Sequence, residues 1–265
     1  MLMHLLSKLM LLAFVLLSPL SDASPQSHSV PPYDNGESLT FKVKYLFFNA
    51  AEAKMVIDPQ IHLINNRPSY KIDVYGRTLN IFSLFYVKDN WGTYMDTSMH
   101  IPYKSYRHIE EGGYRKHEVI DFDHKNKTAT VNLYDRENKK VVKTNNHDIP
   151  PGVQDIVSGF YYLRTMDLDQ YNKKDVINIR GFFDEKSYNL KLIYEGKDRV
   201  STKIGEFDTY VFSPIMPDNK LFSGKNPIKV WITDDKNRIP VKIEADLVVG
   251  ALNMEITEAT GLRNN

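Results

Sequence analysis

The sequence predicts a mainly β protein, an antiparallel meander forming a barrel-like or strongly bent sheet with one partly buried helix. Three observations lead there. Apolar and polar residues alternate with period two along most of the chain, short polar breaks separate the alternating runs, and one long segment has helical spacing with little polar surface. The 16 Tyr and 13 Phe agree, because aromatic residues suit a pleated, half-buried surface.

The first segment reads as an address. Leu9 to Leu17 is apolar without a break, Lys8 precedes it, and Ser21-Asp22-Ala23 follows as a small-residue site, the pattern of a secretory signal cleaved after Ala23. A spanning helix needs about 20 apolar residues, and Ser18-Pro19 stops this run early. Residues 24–35 are rich in Ser and Pro without periodicity and read as a flexible leader. Residues 36–262 form a single β-rich domain.

Within it, Leu39, Phe41, Val43, Tyr45 and Phe47 alternate with mostly polar neighbours. Tyr70, Ile72 and Val74 do the same, as do Ala129, Val131 and Leu133, and then Tyr188, Leu190, Leu192 and Tyr194. Breaks at Asn65 to Pro68, Glu111 to Gly113, His124 to Lys127, Asp135 to Asn138, Asp184 to Lys186 and Asp234 to Arg238 are too short for parallel crossovers. They join antiparallel neighbours, and about a dozen such strands curl or close.

Two stretches depart from this grammar. Val153 to Leu168 follows Pro150-Pro151-Gly152 and sets Val153, Ile156, Val157, Phe160 and Leu163 at helical spacing, with Asp155 in the first turn. A helix with so little polar face packs against the concave side of the sheet. Leu79 to Tyr86 fits a short helix or a strand, and the helix is the preferred reading.

Charge and cysteine content exclude whole classes of function. The chain of 265 residues carries 34 Lys and Arg against 33 Asp and Glu, a net charge of +1. Removing residues 1–23 takes away Lys8 and Asp22 and leaves that balance unchanged. A polyanion such as nucleic acid is therefore not an expected partner. With no cysteine there is no disulfide, thiolate metal site, thiol nucleophile or lipid-bearing Cys. The expected location is the bacterial periplasm, as a soluble chain that is not a lipoprotein, and no transmembrane segment is expected after the signal.

The chemistry search assigns no catalytic residue, no metal and no cofactor. His117-Glu118-Val-Ile-Asp121 lacks the second His of a zinc-protease helix and alternates like a strand. No phosphate loop, dinucleotide fingerprint or nucleophile elbow occurs, and Ser158-Gly159 lies within the expected helix, where close packing is its expected role. Arg164 is the residue of interest. A cation on an apolar helix snorkels to the rim, pairs with an acid such as Asp155 or Asp167, or receives an anionic ligand. Arg164, Tyr161, Trp231 and Asp155 are the ligand-binding candidates, each weighed against a structural role in the core.

Gln154-Asp155-x-x-Ser158-x-x-Tyr161-Tyr162-Leu163-Arg164 and Val230-Trp231-Ile232-Thr233-Asp234-Asp235-x-Asn237-Arg238-Ile239-Pro240-Val241 resemble the bacterial envelope family of domain of unknown function 3108. Gly36-Glu37-Ser38-Leu39-Thr40-Phe41 is similar to its opening strand, and Ile204 to Phe207 and Val249 to Ala251 to its later glycines. The one departure is Asn49-Ala50-Ala51, where a glycine-bearing turn is expected. The resemblance implies an exported antiparallel β protein and brings no catalytic residues.

The expected function is non-enzymatic binding of an apolar or amphiphilic ligand, a lipid or acyl chain, in the curved sheet. The alternatives are a polysaccharide-acting enzyme or binder and an envelope assembly factor with an envelope protein as partner. An open interior favours the ligand, and a plugged one favours action at the surface.

Overall fold

A computed structural model describes residues 30–79, 86–135, 139–215, 222–224 and 226–264. The secretory signal, the first part of the leader and most of the stretch read as a short helix at Leu79–Tyr86 lie outside the described residues.

Strands β1 (Ser38–Tyr45), β2 (Phe48–Ile64), β3 (Arg67–Thr78), β4 (Lys88–Asp96), β5 (Pro102–Glu111), β6 (Tyr114–Asp123), β7 (Thr128–Tyr134) and β8 (Val141–Asp148) are followed by the helix α1 (Ile156–Thr165). Strands β9 (Val176–Phe183), β10 (Lys186–Thr202), β11 (Gly205–Pro214), β12 (Ile228–Thr233), β13 (Pro240–Asp246) and β14 (Ala251–Thr260) complete the chain. They form one 14-stranded sheet in the order β8-β7-β6-β5-β4-β3-β2-β1-β14-β13-β12-β11-β10-β9. The chain lays β1 to β8 outward from the centre, crosses through α1 to the far edge, and returns until β14 pairs antiparallel with β1. This is the bent antiparallel meander that the alternation and the short turns predict.

The edge strands β8 and β9 share no ladder. Side chains from the β9–β10 turn close the distance between them. Asn145 Nδ2 donates to Glu185 Oε2 at 2.6 Å, His147 lies 3.0 Å from the same oxygen, and Phe122 meets Phe182 edge to face. The sheet is thus clasped without being a closed barrel.

The helix packs against β3, β4 and β9 and belongs to two core clusters. Leu163 joins Leu190, Leu192, Phe212 and Val230, while Val157 and Tyr161 join Leu39, Phe41, Ile57 and Ile72. It is shorter than the sequence predicts. Asp155 is the N-cap instead of a first-turn residue, because its carboxylate takes the Val157 and Ser158 N–H groups that would otherwise lack partners. Upstream, Gln154 bridges in parallel to Gly181 of β9, which holds Val153 and Gln154 extended.

Two further local readings change. Tyr33 falls in the stretch read as a leader, yet it is fully buried, so packed chain begins before Gly36. Its ring stands edge-on to Tyr161 of the helix at 5.0 Å, a tertiary contact that leader composition does not reveal. The β1–β2 turn sits at Leu46 and Phe47, with Leu46 at φ 55°, and Asn49 to Ala51 already belong to β2.

Gly92 of β4 shows how closely the sheet is fitted. Tyr106 of β5 lies directly opposite, crosses β4 at this glycine, and donates its hydroxyl to Asp73 Oδ1 of β3 at 2.6 Å. A Cβ at position 92 would stand 2.1 Å from the ring's Cζ, so Gly92→Ala is expected to cost about 2–3 kcal/mol by forcing the ring off its site. Gly113→Ala, with open space around it, is the matched control, and thermal unfolding of both variants checks the difference. No helix among the described residues is long and apolar enough to cross a membrane.

Candidate functional site

The residues singled out by the sequence converge at the two ends of α1. At its N-terminus Asp155 and Ser158 form a reciprocal cap: Asp155 Oδ1 accepts from Val157 N at 2.8 Å and Ser158 N at 3.0 Å, and the Asp155 N–H donates to Ser158 Oγ at 2.9 Å. The other carboxylate oxygen accepts from Thr93 Oγ1 of β4 at 2.6 Å, which ties the helix to the sheet. Burial raises the Asp155 pKa above the usual carboxylate value, opposed by the hydrogen bonds from Thr93, Ser158 and Val157. Ser158, whose hydroxyl is engaged with the Asp155 backbone, acts as a cap.

Asp155→Ala removes the cap and one partner of the buried Thr93 hydroxyl, with an expected loss of about 2 kcal/mol. Asp155→Asn keeps an acceptor for the helix N–H groups and is expected to cost less than half as much. The urea midpoints of the two variants check the order.

In the last turn of α1, Arg164 points into the core and has no exposure at all. Its Nη1 donates to Glu37 Oε1 at 2.6 Å and its Nη2 to Glu37 Oε2 at 2.7 Å, a two-pronged pair with a carboxylate that is equally buried. Nη2 also donates to the Asn237 carbonyl at 2.9 Å. Tyr33 and Tyr161 place their rings 5.1 Å and 5.0 Å from the guanidinium carbon, and the Tyr161 hydroxyl approaches Glu37 at 3.4 Å. Burial alone would lower the Arg164 pKa, but Glu37 and the two tyrosines raise it above its ordinary value. Burial likewise raises the pKa of both tyrosines, which stay neutral phenols.

The β12–β13 turn is built to present that carbonyl. Asp235 Oδ1 accepts from the Thr233 hydroxyl and from the Asn237 and Arg238 N–H groups. Arg238 then reaches the last turn of α1, donating to the carbonyls of Arg164 and Met166. Asn264 near the C-terminus exchanges hydrogen bonds with Asn237. The opening strand, the helix and the β12–β13 turn, which are far apart in sequence, thus meet on one guanidinium.

This corrects the expected partners of Arg164. Neither Asp155 nor Asp167 pairs with it, because Asp155 is held at the opposite end of the helix and the pairing acid is Glu37. Tyr161 packs on the pair, as a core residue. Trp231 takes other partners: its Nε1 donates to Asp198 Oδ2 at 3.0 Å and Lys242 Nζ stands 4.9 Å over its ring, in a buried position.

A second buried cation escaped the sequence reading. Arg107 of β5 lies between Trp91 and Phe183, 5.0 Å and 4.6 Å from their rings. Its Nε donates to Glu118 Oε1 of β6 at 2.5 Å and its Nη2 to Asp184 Oδ1 of the β9–β10 turn at 2.8 Å. It borders a shallow groove with about 20 Å³ of free space, lined by Trp91, Tyr106, Phe182, Phe183 and Ile156 among others. That is room for a single water. Among the described residues no group of three or more His, Asp or Glu side chains is placed to hold a metal ion.

No curated protein matches the chain. Among solved structures, a β-barrel-like protein of domain of unknown function DUF1849 from Brucella abortus is similar with a TM-score of 0.52 at 10% identity, covering 85% of this chain and 97% of that one. That likeness concerns the fold alone. A DUF1089 family protein from Pseudomonas aeruginosa aligns with a TM-score of 0.38 at 8% identity over 71% of this chain and 87% of its own. Glu37, Tyr161, Asn237 and Arg238, which the fold brings together around Arg164, belong to the motifs that first suggested a family, and the family model described as "Protein of unknown function (DUF3108)" matches residues 40–257. The chain belongs to the DUF3108 family.

Proposed function

We propose that the chain is an exported envelope protein that binds instead of catalysing, and that its target meets the outer surface of the domain. The signal-like first 23 residues and the absence of cysteine support export to the periplasm without lipidation. The observation that carries the surface reading is the complete burial of the Glu37–Arg164 pair under α1. An acyl-binding β-sheet keeps its concave side open, with ligand pockets of roughly 300 Å³ or more. Here α1 packs on the sheet, and its one inward cation pairs with an internal acid. This favours binding outside the sheet over the binding of a lipid inside it that the sequence suggests.

A polysaccharide-acting enzyme finds little support in this geometry. Asp155 is committed to the helix cap and Thr93, Glu118 holds Arg107, and the Trp91 and Phe183 faces already carry the guanidinium. Native mass spectrometry with lipid extraction, applied to protein isolated from its own envelope, tests the proposal. The expected result is the mass of the polypeptide alone. A stoichiometric lipid or sugar retained through purification would overturn it.

A further inference from the structure

Two turns at one end of this sheet are polar: Asn65-Asn66 joins β2 to β3, and Asp234 to Arg238 joins β12 to β13. At the opposite end of the same strands the chemistry reverses. Tyr45 to Ala51, around the β1–β2 turn, and Leu247 to Asn253, around the β13–β14 turn, each run without a charged residue in a chain that is 25% charged. Leu46, Phe47, Phe48, Val248 and Val249 are between 44% and 78% exposed.

Tight hairpin turns favour Asn, Asp and Gly, which tolerate positive φ. Leu46 holds that position at φ 55°, a conformation unfavourable for a branched side chain, and it leaves half of that side chain in solvent. The two tips are also fastened together. The Leu46 N–H donates to the Ala251 carbonyl at 3.0 Å, the Tyr45 hydroxyl donates to the Val249 carbonyl at 3.0 Å, and the Phe47 and Phe48 rings lie 4.2 Å apart. Gly250 permits the contact, since a Cβ there would come 2.9 Å from Leu46 Cδ2. The result is one joined apolar patch of the kind that marks a membrane or protein contact.

We propose that these joined tips insert into the interfacial layer of a lipid bilayer, so that the domain docks end-on on a membrane surface. The inference rests on the surface-binding reading above and names the target. Among the described residues the two tips are hairpin turns joined side by side. Their flanking backbone is already paired, β1 with both β2 and β14, so no free edge invites an added strand. A fluid acyl layer accepts a projection without a matching cavity. Lys44, exposed and opposite the uncharged Asn49 and Asn253, stands two residues before Leu46, where it meets lipid phosphates once the tip is inserted.

Co-sedimentation of the exported protein with vesicles of phosphatidylethanolamine and phosphatidylglycerol, and separately of phosphatidylcholine, tests this. The protein is expected to bind both, and the anionic vesicles more tightly. Phe47→Ser/Phe48→Ser is expected to lower the partition coefficient at least about tenfold, and Val248→Ser/Val249→Ser to lower it in the same direction. Leu63→Ser, an exposed apolar residue at the other end of β2, is expected to leave it unchanged. All these sites are exposed, so thermal midpoints should stay near that of the wild type. Wild-type protein left in the supernatant, or tip variants that bind as well as wild type, would overturn the proposal. A lipid-free dimer lost in the tip variants, measured by light scattering, would assign the tips to a second copy and overturn it too. A ligand retained in the mass measurement and lipid-inert tips are separate failures, so each experiment judges its own claim.

Discussion

Glu37→Ala is expected to destabilise the protein by about 3–5 kcal/mol, because it strands the Arg164 guanidinium in a site with no exposure. The Asn237 carbonyl and the faces of Tyr33 and Tyr161 remain, and none of them supplies a negative charge. Arg164→Lys is expected to fare almost as badly. A lysine lacks the planar fork that meets both carboxylate oxygens and lies against two rings. Glu37→Leu/Arg164→Met should be more stable than either of Glu37→Ala and Arg164→Ala, since a buried pair removed together leaves no charge unpaired. Urea unfolding of the four variants checks the order. A cost below about 1 kcal/mol for Glu37→Ala would mean the pair is solvated and not a core element.

The second large effect is expected at Arg107. Arg107→Met leaves Glu118 buried with Lys116 Nζ at 2.8 Å as its remaining cation and takes the charge away from Trp91 and Phe183. A loss of about 3 kcal/mol is expected. Its location is as informative as its size. Arg107 joins β5 to Asp184, and Asp184 adjoins Glu185, which receives Asn145 and lies beside His147 of β8. Loss of the cation should loosen the clasp between the two sheet edges, seen as faster hydrogen exchange in β8 and β9 while the helix stays protected. Arg199 provides the contrast. It is 67% exposed and pairs with Glu206 and Asp208 on the surface, so Arg199→Ala should cost no more than about 0.5 kcal/mol.

Period-two alternation made the sheet legible, because strand side chains alternate between faces whatever the strand's partners are. The helix was legible from its apolar spacing, but its start was not, since the Asp155 side chain competes with continued winding and sets the first turn. Which acid meets Arg164 could not be read from proximity: Asp155 and Asp167 are near in sequence, and Glu37 is 127 positions away. One signal did point to Glu37. It stands two residues before Leu39 and so shares the inward face of β1, where an acid requires a partner. Arg107 stands likewise two residues before the inward Ile109, but its link to Asp184 exists only once curvature brings the sheet's two edges together. The β1–β2 turn was misplaced for a different reason. Turn rules expect glycine or asparagine at positive φ, and Leu46 occupies the position instead.

Vesicle co-sedimentation of the Glu37→Leu/Arg164→Met protein, with the hairpin tips intact, separates an interior that holds the fold from a surface that binds. If the Arg164 cluster is structural and the tips make the contact, the folded double variant should bind phosphatidylethanolamine and phosphatidylglycerol vesicles as the wild type does. A double variant that unfolds cooperatively near the wild-type midpoint and yet no longer binds would contradict this, and would return Arg164 to the role of ligand anchor.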